Sequence, residues 1–421
     1  MNLPDNFVAT DEFTECLDLI ERTNGPFFIT GNAGTGKSTF LQYYLESTVD
    51  SPVVLAPTGV AAVNVGGTTI HSFFKFPPHY VSLDSIHYDA KWKFHHSLRV
   101  LVIDEISMVR SDMLDNIDVF LRKNMQNDTP FGGVKVIMIG DLRQLPPVVE
   151  QTLSKFFNEV YTSPFFFSAK VFEETNMTKY TLTQCFRQSD PDFIRILNNV
   201  RDGRLTIQDT IQLNDRVCRT IGKAIMLTTT NNTADAYNQL ELQKIDSESK
   251  TYTAEIEGDF QSKFYPTAES LVLKVGAQVM MLRNGPGYCN GTICTVEDMK
   301  NEYIEVSIET DDPEHPRTVY IKTVSWERIE YDSIDGAVTH KQVGKFTQFP
   351  IKLAWAITMH KSQGLTFDRV KIDFGRGSFA HGQTYVALSR CRTLEGISLM
   401  RSISKRDIVF DASVLKCGVS K

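Results

Sequence analysis

Apolar residues in this chain gather in short unbroken runs, not in alternation. Four such runs lie in the first third, at residues 27–29, 53–56, 100–103 and 136–139. A run that is apolar on both faces predicts a strand buried on both faces, and hence a parallel sheet covered by helices. Each run leads directly into small or polar residues: GNAGTGKS, PTGVAAVNVGG, DEISM and GDLRQLPP. Polar groups therefore collect at strand carboxyl ends, where open α/β sheets bind their ligands. A second series of runs, at 224–227, 370–374 and 397–400, predicts a second α/β domain. Between its parts, residues 252–346 change character. Segments 270–282, 291–296, 303–309 and 317–326 are β-rich and partly alternating, with Asn290-Gly291 as a turn signal, and predict a small antiparallel barrel inserted in the second domain. Residues 73–96, rich in aromatics, His and Pro, interrupt the first domain.

A chain of 421 residues predicts two or three domains. With 42% apolar and 23% charged residues it has ordinary globular composition, which argues against a disordered tail protein, a collagen-like fibre and a membrane protein. The start, MNLPDNFVATDEF, is acidic and broken by Pro4, unlike a secretory signal, so a cytoplasmic protein is expected. Seven cysteines, at 16, 185, 218, 289, 294, 391 and 417, are scattered, and the pair Cys289 and Cys294 has no second pair to complete a zinc site. Reduced thiols are expected. Five histidines from His71 to His96 have no ligand spacing, so zinc is not expected there either. The net charge of −7 hides an asymmetry: residues 341–421 carry 14 Lys+Arg against 5 Asp+Glu, a balance that suits a polyanionic partner.

The string Gly31-Asn32-Ala33-Gly34-Thr35-Gly36-Lys37-Ser38 is a phosphate-binding loop between a strand and a helix that includes Thr39. Its glycines let backbone N–H groups converge on phosphate oxygens at a helix N-terminus. Lys37 is expected to reach the β and γ phosphates of ATP, and Ser38 to hold Mg²⁺. Asp104 and Glu105 close a strand: the first carboxylate is expected in the magnesium shell, the second to orient and deprotonate water. Gln144, after the next strand, is placed to sense the γ phosphate or to bond its own loop.

On FITGNAGTGKST, LAPTGVAAVNVGGTTIHSFF, LVIDEISMV, IGDLRQLPPV, LTQCFRQ, WAITMHKSQGLTFDRV and YVALSRCRTLEGI, the chain resembles the superfamily 1 helicases, in the branch shared with RecD proteins. Through residues 112–133 it most closely resembles the petite integration frequency (Pif) family. The resemblance implies two RecA-like domains, 1–180 and 181–251 with 347–421, an SH3-like barrel at 252–346, and a wedge near 73–96 that splits duplex, with Phe73, Phe74, Phe76, Pro77, Pro78 and Tyr80; the alternative for that stretch is a loop packed on its own aromatics. ATP is expected between the domains and single-stranded DNA across them. Arg187 and Arg390 would close on the γ phosphate, a contribution of roughly 10³ to 10⁵ in rate in related phosphoryl transfer; Gln363 and Gly364 would lie near the nucleotide. Thr58, Asn64, His71, Val148, Thr358, His360 and Lys361 would meet DNA, by phosphate contact or by packing on a base. A glutamine ahead of the phosphate loop, frequent in the family, is missing from residues 1–30. The implied activity is a monomeric, ATP-driven 5′ to 3′ helicase acting on single strands and junctions, with G-quadruplexes or RNA-DNA hybrids as further substrates, in replication, repair, recombination or telomere-type maintenance. Extensions of eukaryotic relatives are not expected, which suggests a compact bacterial or phage enzyme. The alternatives are the motor subunit of a RecD-like nuclease complex and a nucleotide-dependent DNA-binding switch.

Overall fold

A computed structural model describes residues 3, 7–77, 80–149, 153, 157, 159–286, 288, 290–308, 317–334 and 337–417. Pro4, Pro78 and Cys289 lie outside the described residues. The chain packs as two units, one of Met1–Phe186, Glu327–Val343 and Asp411–Lys421, the other of Arg187–Trp326 and Gly344–Phe410. This division by packing differs from a three-part plan. The inserted antiparallel segment packs with the second parallel sheet, while residues 327–343 pack with the first unit.

In the first unit, β1 (Phe27–Gly31), β2 (Val53–Ala56), β3 (Thr68–Thr69), β4 (Val100–Ile103), β5 (Lys135–Ile139) and β6 (Thr178–Leu182) form one sheet in the order β3-β2-β4-β5-β1-β6. All its pairings are parallel. The four strands read from apolar runs are its interior, buried on both faces. Helix α1 (Asp11–Arg22) is started by Thr10, whose side chain accepts the Phe13 N–H, and its acidic first turn suits the helix dipole. Its Phe13, Cys16 and Ile20 recur at helical spacing and pack with Phe27, Ile29, Phe40 and Tyr44. Helix α2 (Lys37–Ser47) comes after the phosphate loop, α3 (Gly59–Asn64) and α4 (Ile70–Phe74) after β2 and β3, and α5 (Ser111–Met125) after β4.

Helix α5 begins the family-marking stretch and buries polar residues that stitch loops to it. Asp115 accepts the Tyr161 hydroxyl at 2.9 Å and the Val171 N–H at 3.2 Å. Asp118 accepts the Phe131 N–H at 2.6 Å, and Asn124 accepts the Asp89 N–H at 2.8 Å. Buried backbone groups with such partners cost little, and without them about 1–3 kcal/mol each.

The insertion at 73–96 packs on its own aromatics, one of the two readings of that stretch. Phe73, Phe74, Phe76, Trp92 and Phe94 are all buried, and Phe74 and Phe76 stack near Phe120 of α5. These four phenylalanines form a buried aromatic core for the insertion, and Tyr88 is half exposed.

The second unit holds a four-stranded parallel sheet, Ala356–Thr358, Ile225–Thr228, Val370–Ile372 and Ile397–Leu399 in that order. Helix Asn231–Lys244 is capped by the Thr230 side chain on the Thr233 N–H. The inserted strands form a five-stranded antiparallel sheet from Gln278–Met281, Ile293–Met299, Ile304–Ile308, Arg317–Ile321 and Ile351–Leu353, with Ser249–Thr253 and Ser270–Lys274 paired beside it. Both sheets share one core, including Tyr252, Leu273, Val279, Val296, Val306 and Phe349. No helix among the described residues is long and apolar enough to cross a membrane.

Candidate nucleotide and nucleic-acid site

The carboxyl ends of β1, β4, β5 and β2 carry the first unit's chemistry. After β1 the chain turns through Gly34 (φ 85°) and Gly36 (φ 80°), a left-handed conformation that glycine enters without a Cβ clash. A Cβ on Gly36 would also stand 3.2 Å from the Phe13 ring. Thr35 is buried and donates to the Asn32 carbonyl at 2.9 Å, closing the loop on itself. The Lys37 ammonium donates to the carbonyls of Gly31 (2.8 Å) and Asn32 (2.9 Å), so its charge is held over the loop's cradle. Ser38 is exposed in the first turn of α2, and Ala33, within the loop, is buried. Phe186, in LTQCFRQ, donates its N–H to the Gly34 carbonyl at 2.8 Å and leaves an exposed ring beside Gly36.

Asp104 is buried at the end of β4, its N–H bonded to the Leu55 carbonyl at 2.9 Å. Burial, then the neighbouring Glu105 charge, push its carboxyl up to about 7, while Lys37 opposes the rise. Glu105 adopts φ 49°, ψ 42°, a left-handed backbone unusual for a residue with a side chain and found at functional turns. After β5, Gly140 runs against that turn: a Cβ there would meet the Ile106 side chain at 2.9 Å and the Ser107 nitrogen at 3.2 Å. Asp141, which sequence reasoning passed over, organises the loop beyond Gly140. Its carboxylate accepts the Arg143 N–H at 3.0 Å and the Gln144 side-chain amide at 3.1 Å. Gln144 is thereby buried and oriented. The signal was the motif's own spacing, an acid three residues ahead of the glutamine.

Four of the expected DNA residues belong to this unit. Thr58 and Asn64 are exposed at the two ends of α3, where Thr58 caps the helix by accepting the Ala61 N–H at 3.3 Å. His71 is half buried on α4, and Val148 is 72% exposed after the Pro-Pro pair.

In the second unit, residues 358–364 make a compact turn. Thr358 is buried and accepts the Lys361 N–H at 3.2 Å, Ser362 donates its hydroxyl to the Met359 carbonyl at 2.7 Å, and Gly364 takes φ 76°. Lys361 is exposed, and burial pulls His360 below the ordinary imidazole range. The Gln363 side-chain nitrogen is buried with no hydrogen-bond partner among the described residues, the state of a donor that a ligand would satisfy. Arg187 donates to the Ser389 carbonyl at 3.1 Å. Arg390, expected to close on the γ phosphate, is held inside the second unit. It is 1% exposed, and its guanidinium bonds the Val386 carbonyl (3.0 Å), the Ser389 hydroxyl (3.0 Å) and, at 3.4 and 3.5 Å, the carbonyls of Ser362 and Leu365. Its planar fork clamps the turn that carries Gln363 and Gly364. Among the described residues no cluster of three His, Cys, Asp or Glu forms a metal site.

Comparison with known proteins agrees with this geometry. The family model described as PIF1-like helicase matches residues 10–211, and the one described as DNA helicase Pif1, 2B domain, matches residues 261–299. The chain is 34% identical over 407 residues to the ATP-dependent DNA helicase PIF1 of Rattus norvegicus, covering 93% of this chain and 60% of that protein. It is 31% identical over 428 residues to the ATP-dependent DNA helicase Pif1 of Bdellovibrio bacteriovorus, covering 96% of this chain and 90% of the relative. The chain thus spans about three fifths of the vertebrate relatives it matches and most of the bacterial one. Among solved structures, unliganded Pif1 from Bacteroides sp superposes with a TM-score of 0.90 at 37% identity, covering 98% of this chain and 96% of that one. With its motifs on the expected strand ends and relatives above 30% identity along nearly its whole length, this chain belongs to the PIF1-like helicase family.

Proposed function

We propose that the protein is an ATP-driven DNA helicase that tracks 5′ to 3′ on single strands and opens duplex at junctions. The observation that carries the reading is the convergence, on one sheet's carboxyl edge, of the Lys37 cradle, the buried Asp104 and the Asp141-held Gln144. The Bacteroides sp relative has been solved with ADP-AlF4 and bound to single-stranded DNA, which supports the same two ligands for this chain. In this reading Lys37 leaves the Gly31 and Asn32 carbonyls for the β and γ phosphates, whose oxygens meet the loop's N–H groups. Glu105, set off the strand by its left-handed backbone, orients and deprotonates water, and Gln144 reads the γ phosphate. Arg187 supplies the cation for charge that develops on that phosphate.

Magnesium fits the donors present. Asp104 and Glu105 place excess negative charge in a buried position, which a divalent cation satisfies, and the Ser38 hydroxyl is a hard oxygen ligand. When bound, the ion neutralises charge on the β and γ oxygens. DNA is held by Thr58, Asn64, His71 and Val148 of the first unit and by Thr358, His360 and Lys361 of the second. Strand displacement on duplexes with a 5′ or a 3′ tail tests the reading: ATP-dependent unwinding is expected only with the 5′ tail. Unwinding confined to the 3′ tail would overturn the polarity, and DNA-stimulated hydrolysis without displacement of either would overturn the helicase.

A further inference from the structure

Residues 327–343 leave the inserted antiparallel region and pack within the first unit, and one side chain there meets both ends of the segment expected to hold DNA. The Val54 N–H donates to the Tyr331 hydroxyl at 3.0 Å. The Tyr331 ring meets Phe73 edge-on, with centroids 6.1 Å apart and planes at 85°. Val54 precedes Thr58 by four residues, and Phe73 comes two after His71.

The need for this hydroxyl arises from the sheet. Strand β3 pairs with β2 only at Leu55 and Ala56, so it begins one residue past Val54. The Val54 carbonyl is covered instead by Gly67, where a Cβ would lie 2.3 Å from the oxygen. That leaves the Val54 N–H, buried, without a strand to receive it, and a buried N–H without an acceptor is strongly unfavourable. Tyr331 supplies the acceptor, and burial pushes its phenol above the usual range, keeping the hydroxyl neutral. At the other end Phe73 sits among Phe74, Trp92 and Phe94, so the tyrosine also bears on the insertion's aromatic core.

We propose that Tyr331 is a positioning residue for single-stranded DNA, holding both ends of segment 54–73 so that Thr58, Asn64 and His71 keep one arrangement. It rests on the reading that this segment meets DNA.

The test compares Tyr331→Phe, which keeps the ring and removes the hydroxyl, with wild type and with His71→Ala. Three quantities are read: the single-stranded DNA concentration giving half-maximal stimulation of hydrolysis, the maximal stimulated rate, and amide exchange of the peptide containing Val54. For Tyr331→Phe the half-saturating concentration is expected to rise about tenfold, by the loss of one buried bond. The maximal rate should stay within about twofold, because the phosphate loop is untouched, and Val54 should lose protection. If Val54 loses protection while half-saturation is unchanged, Tyr331 serves only stability and the proposal fails. It fails equally if neither changes. If His71→Ala leaves half-saturation unchanged, it is the DNA reading of segment 54–73 that falls, whatever Tyr331→Phe does.

Discussion

Lys352 offers the most quantitative test of the second unit. It lies on Ile351–Leu353, opposite Met280 of the neighbouring strand, and lines a pocket of about 260 Å³ with Asn231, Asp235, Thr358 and Lys361. It makes no ion pair among the described residues. Burial, aided by the Lys361 charge, pulls its ammonium from 10.5 down to about 8. A lysine whose folded value is depressed binds its proton less well in the fold than in the unfolded chain, so the charged form opposes folding. Below pH 8 both states are protonated and the full penalty applies, about 3 kcal/mol at one pKa unit per 1.36 kcal/mol. Between pH 8 and 10.5 the folded protein releases the proton first and stability rises; above 10.5 the penalty is gone. Lys352→Met, which keeps the length and drops the charge, should therefore be more stable than wild type at pH 7 by up to about 3 kcal/mol, and the gain should vanish by about pH 10.5.

Paired urea titrations of both proteins across that range isolate the group, since every other titration is common to the two. The same lysine faces the turn proposed to hold DNA, so a phosphate seated there should restore its proton, and binding of single strands at pH 8.5 should take up protons from a weakly buffered solution. A variant no more stable than wild type at pH 7, or a gain independent of pH, would refute the reasoning about burial. Binding without proton uptake would place DNA elsewhere.

Lys37→Ala should lose both nucleotide binding and turnover, whereas Glu105→Gln should bind ATP and hydrolyse it at least about a hundredfold more slowly, read by equilibrium binding and single-turnover kinetics; normal DNA-stimulated turnover in either removes the site. The two arginines should separate in a thermal scan. Arg390→Lys, which cannot reproduce a buried fork, should cost about 3 kcal/mol of stability, while Arg187→Lys should melt within about 2 °C of wild type and lose turnover only; an Arg390→Lys protein of undiminished melting temperature would return Arg390 to the phosphate.

Burial decides which elements were legible in the sequence. Strands covered on both faces cannot carry polar residues, so 53–56 and 100–103 appear in the fold with the bounds read from their runs, and 27–29 and 136–139 within one or two residues. The edge strand Thr178–Leu182 was invisible because one side needs no apolar cover: its residues alternate, with only Leu182 buried. Strand β3 is two residues long and leaves no periodicity at all. Segments read as single β stretches at 270–282 and 317–326 are each divided, because a turn within an antiparallel meander needs only a few polar residues to reverse the chain. The phosphate loop and the acidic pair were legible because phosphate chemistry fixes both residue type and order. Tyr331 was not: a tyrosine 277 residues from its partner has no local pattern to mark it.

The turn at 358–364 is built in the way that the proposed motor would require of the element between its two ligands. Its peptides are pinned from within, the Ser362 N–H on the Thr358 carbonyl at 3.0 Å, the Gln363 N–H on the His360 carbonyl at 3.2 Å and the Leu365 N–H on the Ser362 carbonyl at 3.0 Å. From outside, Arg390 reaches the carbonyls of Ser362 and Leu365. A loop free to flex would absorb a displacement of Gln363 by local rotation, and nothing would reach the DNA side. Here a shift at Gln363 strains bonds that end on Thr358 and His360, so the cheaper response is for the turn to move as a body, carrying Lys361 with it. Two arrangements of such a body, each favoured by a different ligand, are what coupling between ATP and DNA requires. Gly364, with open space around its Cα, lies where that movement would have to be accommodated, between the pinned turn and the chain beyond it. In the proposed motor, Arg390 would thereby act on hydrolysis through the stiffness of the turn whose Ser362 and Leu365 carbonyls it holds.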